Sequence, residues 1–513
     1  MISHRRHILL GAGAVLCTSG LAQAAPKLVV ETTYGKVRGV VEQGTRLFRG
    51  IPYGSDTAGK NRFMPPAKPA SWSGIRDCTN WGHIAPQKVT GAEASEYTRL
   101  VGWNNYRGGL SEDCLNLNIW APRSGEKRAV MVAFHGGGFT SGSGNLAALE
   151  GDHLVREGGV VVVTVNHRLG ALGYTDLSGI GGAEFGPSGS VGMMDCAAAL
   201  KWVRDNIEAF GGDPGRVMIF GQSGGGAKCS ILMCMPSAHG LFHRVAVQSG
   251  STIRLTHHDA ARKQADVLLN KLGVGAKDIG KLQSLPFAQL VAAQGRVGPV
   301  VDGTVIPRDP FDPDAPALSA NVPMVIGTCL EDQGLGMTDW DIDESGLKGW
   351  LQAQVPGKAE MILAQYRRIY PKKRPFLIKA MIATDKAWRR NAVLQAERKA
   401  AQRRAAVYMY RWDWPTPAAH GKFGAIHGTD LSMSFANADT PVGTGSPEAR
   451  LMAKRLGSAY LAFAKTGNPN NANIPAWPAY DLPERAVMIS DRTTRLERDP
   501  HRDLRLLWDE LPS

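Results

Sequence analysis

One stretch limits this chain more than any other: Arg216-Val-Met-Ile-Phe-Gly221-Gln222-Ser223-Gly224-Gly225-Gly226. Residues 216–220, apolar after Arg216, read as a buried β-strand. It enters a Gly-x-Ser-x-Gly turn and then helix-compatible sequence. Small residues on both sides of a serine let a strand and the following helix approach closely. They also leave the serine oxygen exposed at the end of the strand. In a chain with 60 glycines, such a pattern arises by chance in roughly half of cases, so its meaning depends on what surrounds it.

Its surroundings alternate strand and helix. Residues 28–48 alternate in polarity and turn at Tyr34-Gly35, which predicts an N-terminal hairpin. Residues 111–120 read as a loop leading into a strand. Residues 129–134 are a buried strand that ends in His135-Gly136-Gly137-Gly138-Phe139. Residues 159–165 are another apolar strand, ending in Asn166-His167-Arg168. From 195 to 210, Leu200, Val203, Ile207 and Phe210 recur at helical spacing, and Phe210-Gly-Gly-Asp-Pro214 stops that helix. Residues 244–248 and 323–328 are further strands. This alternation predicts an α/β fold, with a mostly parallel central sheet and helices on both faces. No composition break requires a second domain, so residues 25–513 read as one.

The N-terminus reads as an address. Arg5-Arg6 precedes a Gly/Ala-rich apolar run, and Ala22-Gln23-Ala24 is a small-residue cleavage site. Residues 1–24 are therefore expected to be a twin-arginine-like signal peptide, with the mature chain starting near Ala25. This implies a periplasmic or secreted protein. The apolar run is short for a bilayer span, and Leu16 is too large to precede a lipidated Cys17, so no stable membrane anchor is expected. The signal carries two arginines and no acid, so its loss lowers the formal charge from +13 to +11. The basic residues are scattered and no nucleic-acid motif accompanies them. The densest run, residues 386–404, predicts a helix with a solvated basic face. No Cys/His spacing fits a zinc site. An exported chain permits disulfides, while Cys229 and Cys234, just past the serine turn, read as buried small apolar residues.

The His-Gly-Gly-Gly loop has a chemical reading beside the serine. Acyl transfer creates an oxyanion, and backbone N–H groups free of side chains can meet it. A serine nucleophile also needs a base and an orienting acid. Downstream, Gly327-Thr-Cys-Leu-Glu331-Asp332 offers two carboxylates after a strand, and Gly424-Ala-Ile-His427-Gly428 puts a histidine in a glycine-flanked loop. Composition does not choose His427 among 13 histidines.

Together these motifs resemble the type-B carboxylesterases, the α/β-hydrolase family that includes cholinesterases and bacterial p-nitrobenzyl-type esterases. Residues 48–53, 111–120, 166–173, 210–214, 248–251 and 463–470 extend the likeness from about Lys27 to the C-terminus. The resemblance implies the α/β-hydrolase fold and carboxylic-ester hydrolysis through an acyl-enzyme. It assigns Ser223 as nucleophile, His427 as general base, and Gly137, Gly138 and Gly224 as oxyanion-hole donors. Asp332 falls where the family usually has glutamate, with Glu331 the neighbouring alternative. It further implies ion pairs Arg49–Glu112 and Arg168–Asp195, and a disulfide between Cys78 and Cys114. No metal or organic cofactor is implied, and the partner is a small-molecule ester rather than nucleic acid.

Two departures matter. The usual Gly-Glu-Ser-Ala-Gly is here Gly-Gln222-Ser-Gly224-Gly, which removes a carboxylate beside the serine and weakens the case for a choline ester. The usual Asp-Glu-Gly at the acid is Glu331-Asp332-Gln333. Trp103 is read as a pocket wall. A non-catalytic adhesion or binding module on this scaffold is expected to lack the serine or another of the three residue types, and this chain keeps all three in order. Lipase, amidase and acyltransferase activities belong to the same enzyme class.

Overall fold

The computed structural model describes residues 28–89, 94–103 and 106–511. The proposed signal peptide and cleavage site lie outside the described residues. Residues 29–32 and 35–38 form the expected hairpin, paired antiparallel.

The chain is built on an 11-stranded sheet. Its strands are β1 (Val40–Glu42), β2 (Thr45–Pro52), β3 (Asn116–Ala121), β4 (Arg128–Phe134), β5 (Val161–Val165), β6 (Gly212–Gln222), β7 (Arg244–Gln248), β8 (Met324–Cys329), β9 (Val407–Trp412), β10 (Ala486–Ser490) and β11 (Arg495–Arg498). In space they run β11-β10-β9-β8-β7-β6-β4-β5-β3-β2-β1. From β5 through β10 every pairing is parallel. Antiparallel strands close both edges. This is the mostly parallel sheet of an α/β-hydrolase.

The centres of the parallel strands are apolar because both faces are covered. Side chains alternate between two cores. Val130, Val132 and Phe134 enter one with Val217, Ile219, Val245 and Val247. Met131 and Ala133 enter the other with Met218, Phe220 and Ala246. The first core packs against α1 (Val191–Asn206), α2 (Gly224–Leu232) and α3 (Arg390–Ala401), and the second against α4 (Pro447–Thr466). Removing one large aliphatic side chain from either core costs about 2–5 kcal/mol.

Arg168 and Asp195 form the expected pair. Nε and one terminal nitrogen reach the two carboxylate oxygens at 2.8 and 2.6 Å, with both side chains buried. The pair ties the chain after β5 to α1. Removing one partner would strand a buried charge, at about 3–5 kcal/mol.

Three expectations are corrected. Arg49 pairs with Glu42 on neighbouring β1, and donates to Thr79 O. Glu112 instead takes Arg62, at 2.7 and 2.5 Å, and Arg62 also reaches the carbonyls of Leu282 and Leu285. Cys78 and Cys114 are free thiols rather than a disulfide. Both serve as small apolar side chains in the first core, where burial pushes the Cys78 thiol up to about 12. Cys229 and Cys234 are buried and free as well, Cys229 on α2. Finally, the basic run is not simply solvated. Residues Asp385–Arg389 form a π turn ahead of α3. Lys399 is fully buried, donating to Ser319 O and Ala320 O at 2.8 Å.

Candidate active site

The serine turn sits where β6 meets α2. Ser223 holds φ 59° and ψ −126°, a strained backbone for a non-glycine residue that costs on the order of 1–3 kcal/mol. Its N–H donates to Gln248 O on β7 at 2.8 Å, which pins the turn to the sheet. Gly225 allows the crossing: a Cβ there would stand 2.0 Å from Phe134 O at the end of β4. Gly224 is the first residue of α2, so its N–H has no intrahelical acceptor, and the helix N-terminus adds partial positive charge beside the serine.

The glycine loop after β4 packs directly on this turn. A Cβ on Gly224 would meet Gly138 O, N and Cα at 2.2, 2.5 and 2.6 Å. Gly137 and Gly138 hold φ of 86° and 62°, backbone that glycine adopts without strain. Among the described residues their N–H groups have no acceptor. The carbonyl of Gly136 accepts from His135 Nδ1 at 2.8 Å, and that of Gly137 from Ser141 N at 3.2 Å. Each bond turns the N–H of the same peptide, that of Gly137 or Gly138, the opposite way. Burial and the nearby Lys228 depress His135 to about 3, so it is neutral with Nδ1 as donor. Three free backbone donors from Gly137, Gly138 and Gly224 therefore lie on adjoining backbone, able to meet developing negative charge.

The histidine loop comes from the other side. His427 is fully buried, and its Nδ1 lies 2.8 Å from Asp332 Oδ1. The second oxygen of Asp332 accepts from Ser249 Oγ and Cys329 N, both at 2.8 Å. A short 3-10 turn, Asp332–Gly334, directs this carboxylate to the imidazole. Glu331 faces away from the ring. It accepts from Ala425 N at 2.8 Å and pairs with Lys373, bracing the loop that carries His427. Asp332, not Glu331, is thus the acid bonded to the histidine. Tyr97 OH donates to His427 O at 2.9 Å and fixes the loop again. With Nδ1 as donor, Nε2 is the acceptor, and the Gln222 amide nitrogen donates to it at 3.1 Å. Ser223 Oγ has no hydrogen-bond partner among the described residues. Contacts of this kind commonly tighten only when substrate is present.

A pocket of about 250 Å³ opens over the serine, lined by Gly138, Phe139, Ser223, Gly224, Trp388 and Asn391 among others. Trp388 was not singled out from the sequence. The π turn ahead of α3 brings its ring to 4.4 Å from that of His427, edge to face. Trp103 lies beside the imidazole, its ring 5.9 Å from that of His427, but it is not among the residues lining the pocket over the serine. Gln222 was expected only to remove a charge, yet it also contacts the imidazole. A strand-end position next to the serine was the signal for it. Among the described residues no cluster of His, Cys, Asp or Glu is placed to hold a metal ion.

Comparison with known proteins agrees with this architecture. The model of the carboxylesterase family matches residues 26–504. The para-nitrobenzyl esterase of Bacillus subtilis is 34% identical over 497 residues, covering 93% of this chain and 97% of that protein. The phenmedipham hydrolase of Pseudarthrobacter oxydans is 30% identical, covering 92% and 97%. Among solved structures, a carboxylesterase of Geobacillus stearothermophilus superposes with a TM-score of 0.81 at 34% identity, covering 94% of this chain and all of that one. A strand-to-helix serine turn packed on a glycine loop, in a chain that matches these proteins nearly end to end, identifies a carboxylic-ester hydrolase: the chain belongs to the carboxylesterase family, as a type-B carboxylesterase.

Proposed function

We propose that the protein is an exported esterase that cleaves small-molecule carboxylic esters through Ser223, His427 and Asp332. The observation that carries this reading is the 2.8 Å bond from His427 Nδ1 to Asp332, with Nε2 turned to Gln222, the residue before the serine. His427 takes the proton of Ser223 as its oxygen attacks the ester carbonyl. The N–H groups of Gly137, Gly138 and Gly224 receive the oxyanion. The alcohol leaves with the proton returned by His427, and an acyl-enzyme remains. Water, deprotonated by the same imidazole, then releases the acid and restores the serine. Asp332 holds the tautomer and stabilises the imidazolium. The pocket of about 250 Å³ suits a short acyl chain better than a fatty one.

The test is a series of p-nitrophenyl esters from acetate to palmitate, with the parent and its Ser223→Ala variant. Activity falling with chain length, and abolished in the variant, is expected. Inactivity in a folded parent, with no mass gain from an organophosphonate, would overturn the reading. Export rests on residues 1–24. Among the described residues no helix is long and apolar enough to cross a membrane. Protein recovered from the periplasm or medium is expected to begin near Ala25, and an intact Met1 there would defeat the export proposal.

A further inference from the structure

Lys228 lies on α2, five residues beyond Ser223, and is fully buried. Its ammonium donates to Gly138 O at 2.9 Å and to His135 O at 3.1 Å. These two carbonyls bracket the turn that carries the N–H groups of Gly137 and Gly138. No carboxylate pairs with Lys228 among the described residues. What faces it is neutral. His135 and His167 stack at 4.8 Å, both held uncharged by burial and by the lysine itself. The Cys196 and Cys229 thiols are pushed up by burial and keep their protons. The Phe139 ring completes the shell, 5.3 Å from the ammonium. Burying an unpaired charge is costly, and two carbonyls compensate only part of the lost hydration.

We propose that Lys228 is a positioning residue for ester hydrolysis: its ammonium clamps both ends of the 135–138 turn and supplies a buried positive charge that is left unpaired until the oxyanion forms. The inference rests on the reading of Ser223 as nucleophile. The clamp anchors the peptides on either side of the two whose N–H groups are free, and so fixes the turn that presents them. The charge is unbalanced in the free enzyme and balanced in the tetrahedral intermediate. It therefore favours the transition state over the ground state, which raises kcat rather than substrate affinity. Burial lowers the lysine from 10.5 to about 8. It is charged at neutral pH and loses its proton in mildly alkaline solution, where none of the groups facing it titrates.

The experiment uses the full mature chain and its Lys228→Met, Lys228→Gln and Lys228→Arg variants. Labelling of Ser223 by a fluorophosphonate is checked first by mass. kcat and KM for p-nitrophenyl butyrate are then measured from pH 6 to 10. The parent is expected to lose kcat as pH rises through about 8. Lys228→Gln and Lys228→Met should lose kcat about 10- to 100-fold with KM nearly unchanged, and should lack the alkaline decline. Lys228→Arg should retain most of the rate and carry the decline to higher pH. A Lys228→Gln variant with parental kcat would overturn the proposal, because an amide keeps a hydrogen bond but not the charge. Should Lys228→Met fail to fold, a parental rate that stays flat across the alkaline range would overturn it equally. A folded parent that does not label at Ser223 would bring down the nucleophile assignment and this inference together. A labelled parent with an indifferent Lys228→Gln variant brings down only this one.

Discussion

The contact between Gly224 and Gly138 makes a sharp prediction for Gly224→Ala. Related esterases usually carry alanine at this position. Here the added Cβ would fall 2.2, 2.5 and 2.6 Å from the oxygen, nitrogen and Cα of Gly138, whereas ordinary contact begins at 3.4 Å. All three atoms are backbone, so no side chain can turn aside. The loop must withdraw by about 1 Å. An oxyanion donor works at about 2.7–3.1 Å, and that displacement takes the Gly138 N–H out of range. Loss of one donor costs about 3 kcal/mol in the barrier, or roughly 100-fold in kcat. Stability should respond differently. Gly224 does not adopt positive φ, and alanine in place of glycine in a helix gains up to about 1 kcal/mol. That gain offsets part of the clash, so Tm should change little while kcat collapses. The assay is kcat and KM for p-nitrophenyl butyrate beside a thermal melt. A folded variant within threefold of the parental kcat would refute the claim that this packing sets the oxyanion donors.

Two further perturbations separate roles that the fold places side by side. Asp332→Asn should cut kcat by about 10⁴ through the wrong imidazole tautomer, whereas Glu331→Gln should leave kcat within about tenfold and mainly lower Tm, by unbalancing Lys373; equal losses of kcat in both would contradict the assignment. Lys399 is lowered by burial from 10.5 to about 8, so between those values the unfolded chain binds more protons than the folded one and this group's contribution to stability rises with pH. Relative to Lys399→Met, the parent should gain on the order of 3 kcal/mol at most from pH 8 to 10, and a Tm difference constant over that range would show that the lysine titrates normally.

The sheet was legible because a parallel strand buried on both faces leaves a continuous apolar run, as residues 129–134 and 245–247 do. The serine turn and the glycine loop were legible because close backbone approach excludes side chains. The resemblance then singled out His427. The acid was not settled in advance, since Glu331 and Asp332 differ by one residue and each could follow β8. Local geometry decides between them, with one carboxylate turned to the imidazole and its neighbour to the Ala425 N–H. The partners of Arg49 and Glu112 were misassigned because long-range ion pairs depend on which strands adjoin, and β1 puts Glu42 beside Arg49. Trp388 was hidden inside a basic run. One π turn rotates the helix entry enough to face that ring to the active site, and nothing in residue spacing signals such a turn.

The charges around the serine share one direction. Gln222 replaces a carboxylate with a neutral amide next to the nucleophile. Asp430, three residues past His427, is fully buried; desolvation, reinforced by the nearby Asp332, raises its pKa and favours its neutral form. Tyr410 OH donates to one of its oxygens at 2.7 Å, and the other has no partner among the described residues. Lys228 adds a cation behind the glycine loop. In the proposed mechanism Asp332, bonded to His427 Nδ1, stabilises the imidazolium formed in the reaction. The neutral amide of Gln222 and the ammonium of Lys228 suit an oxyanion. In the proposed reaction a cationic alcohol such as choline would find no carboxylate at position 222 beside the serine, an arrangement that suits uncharged esters better.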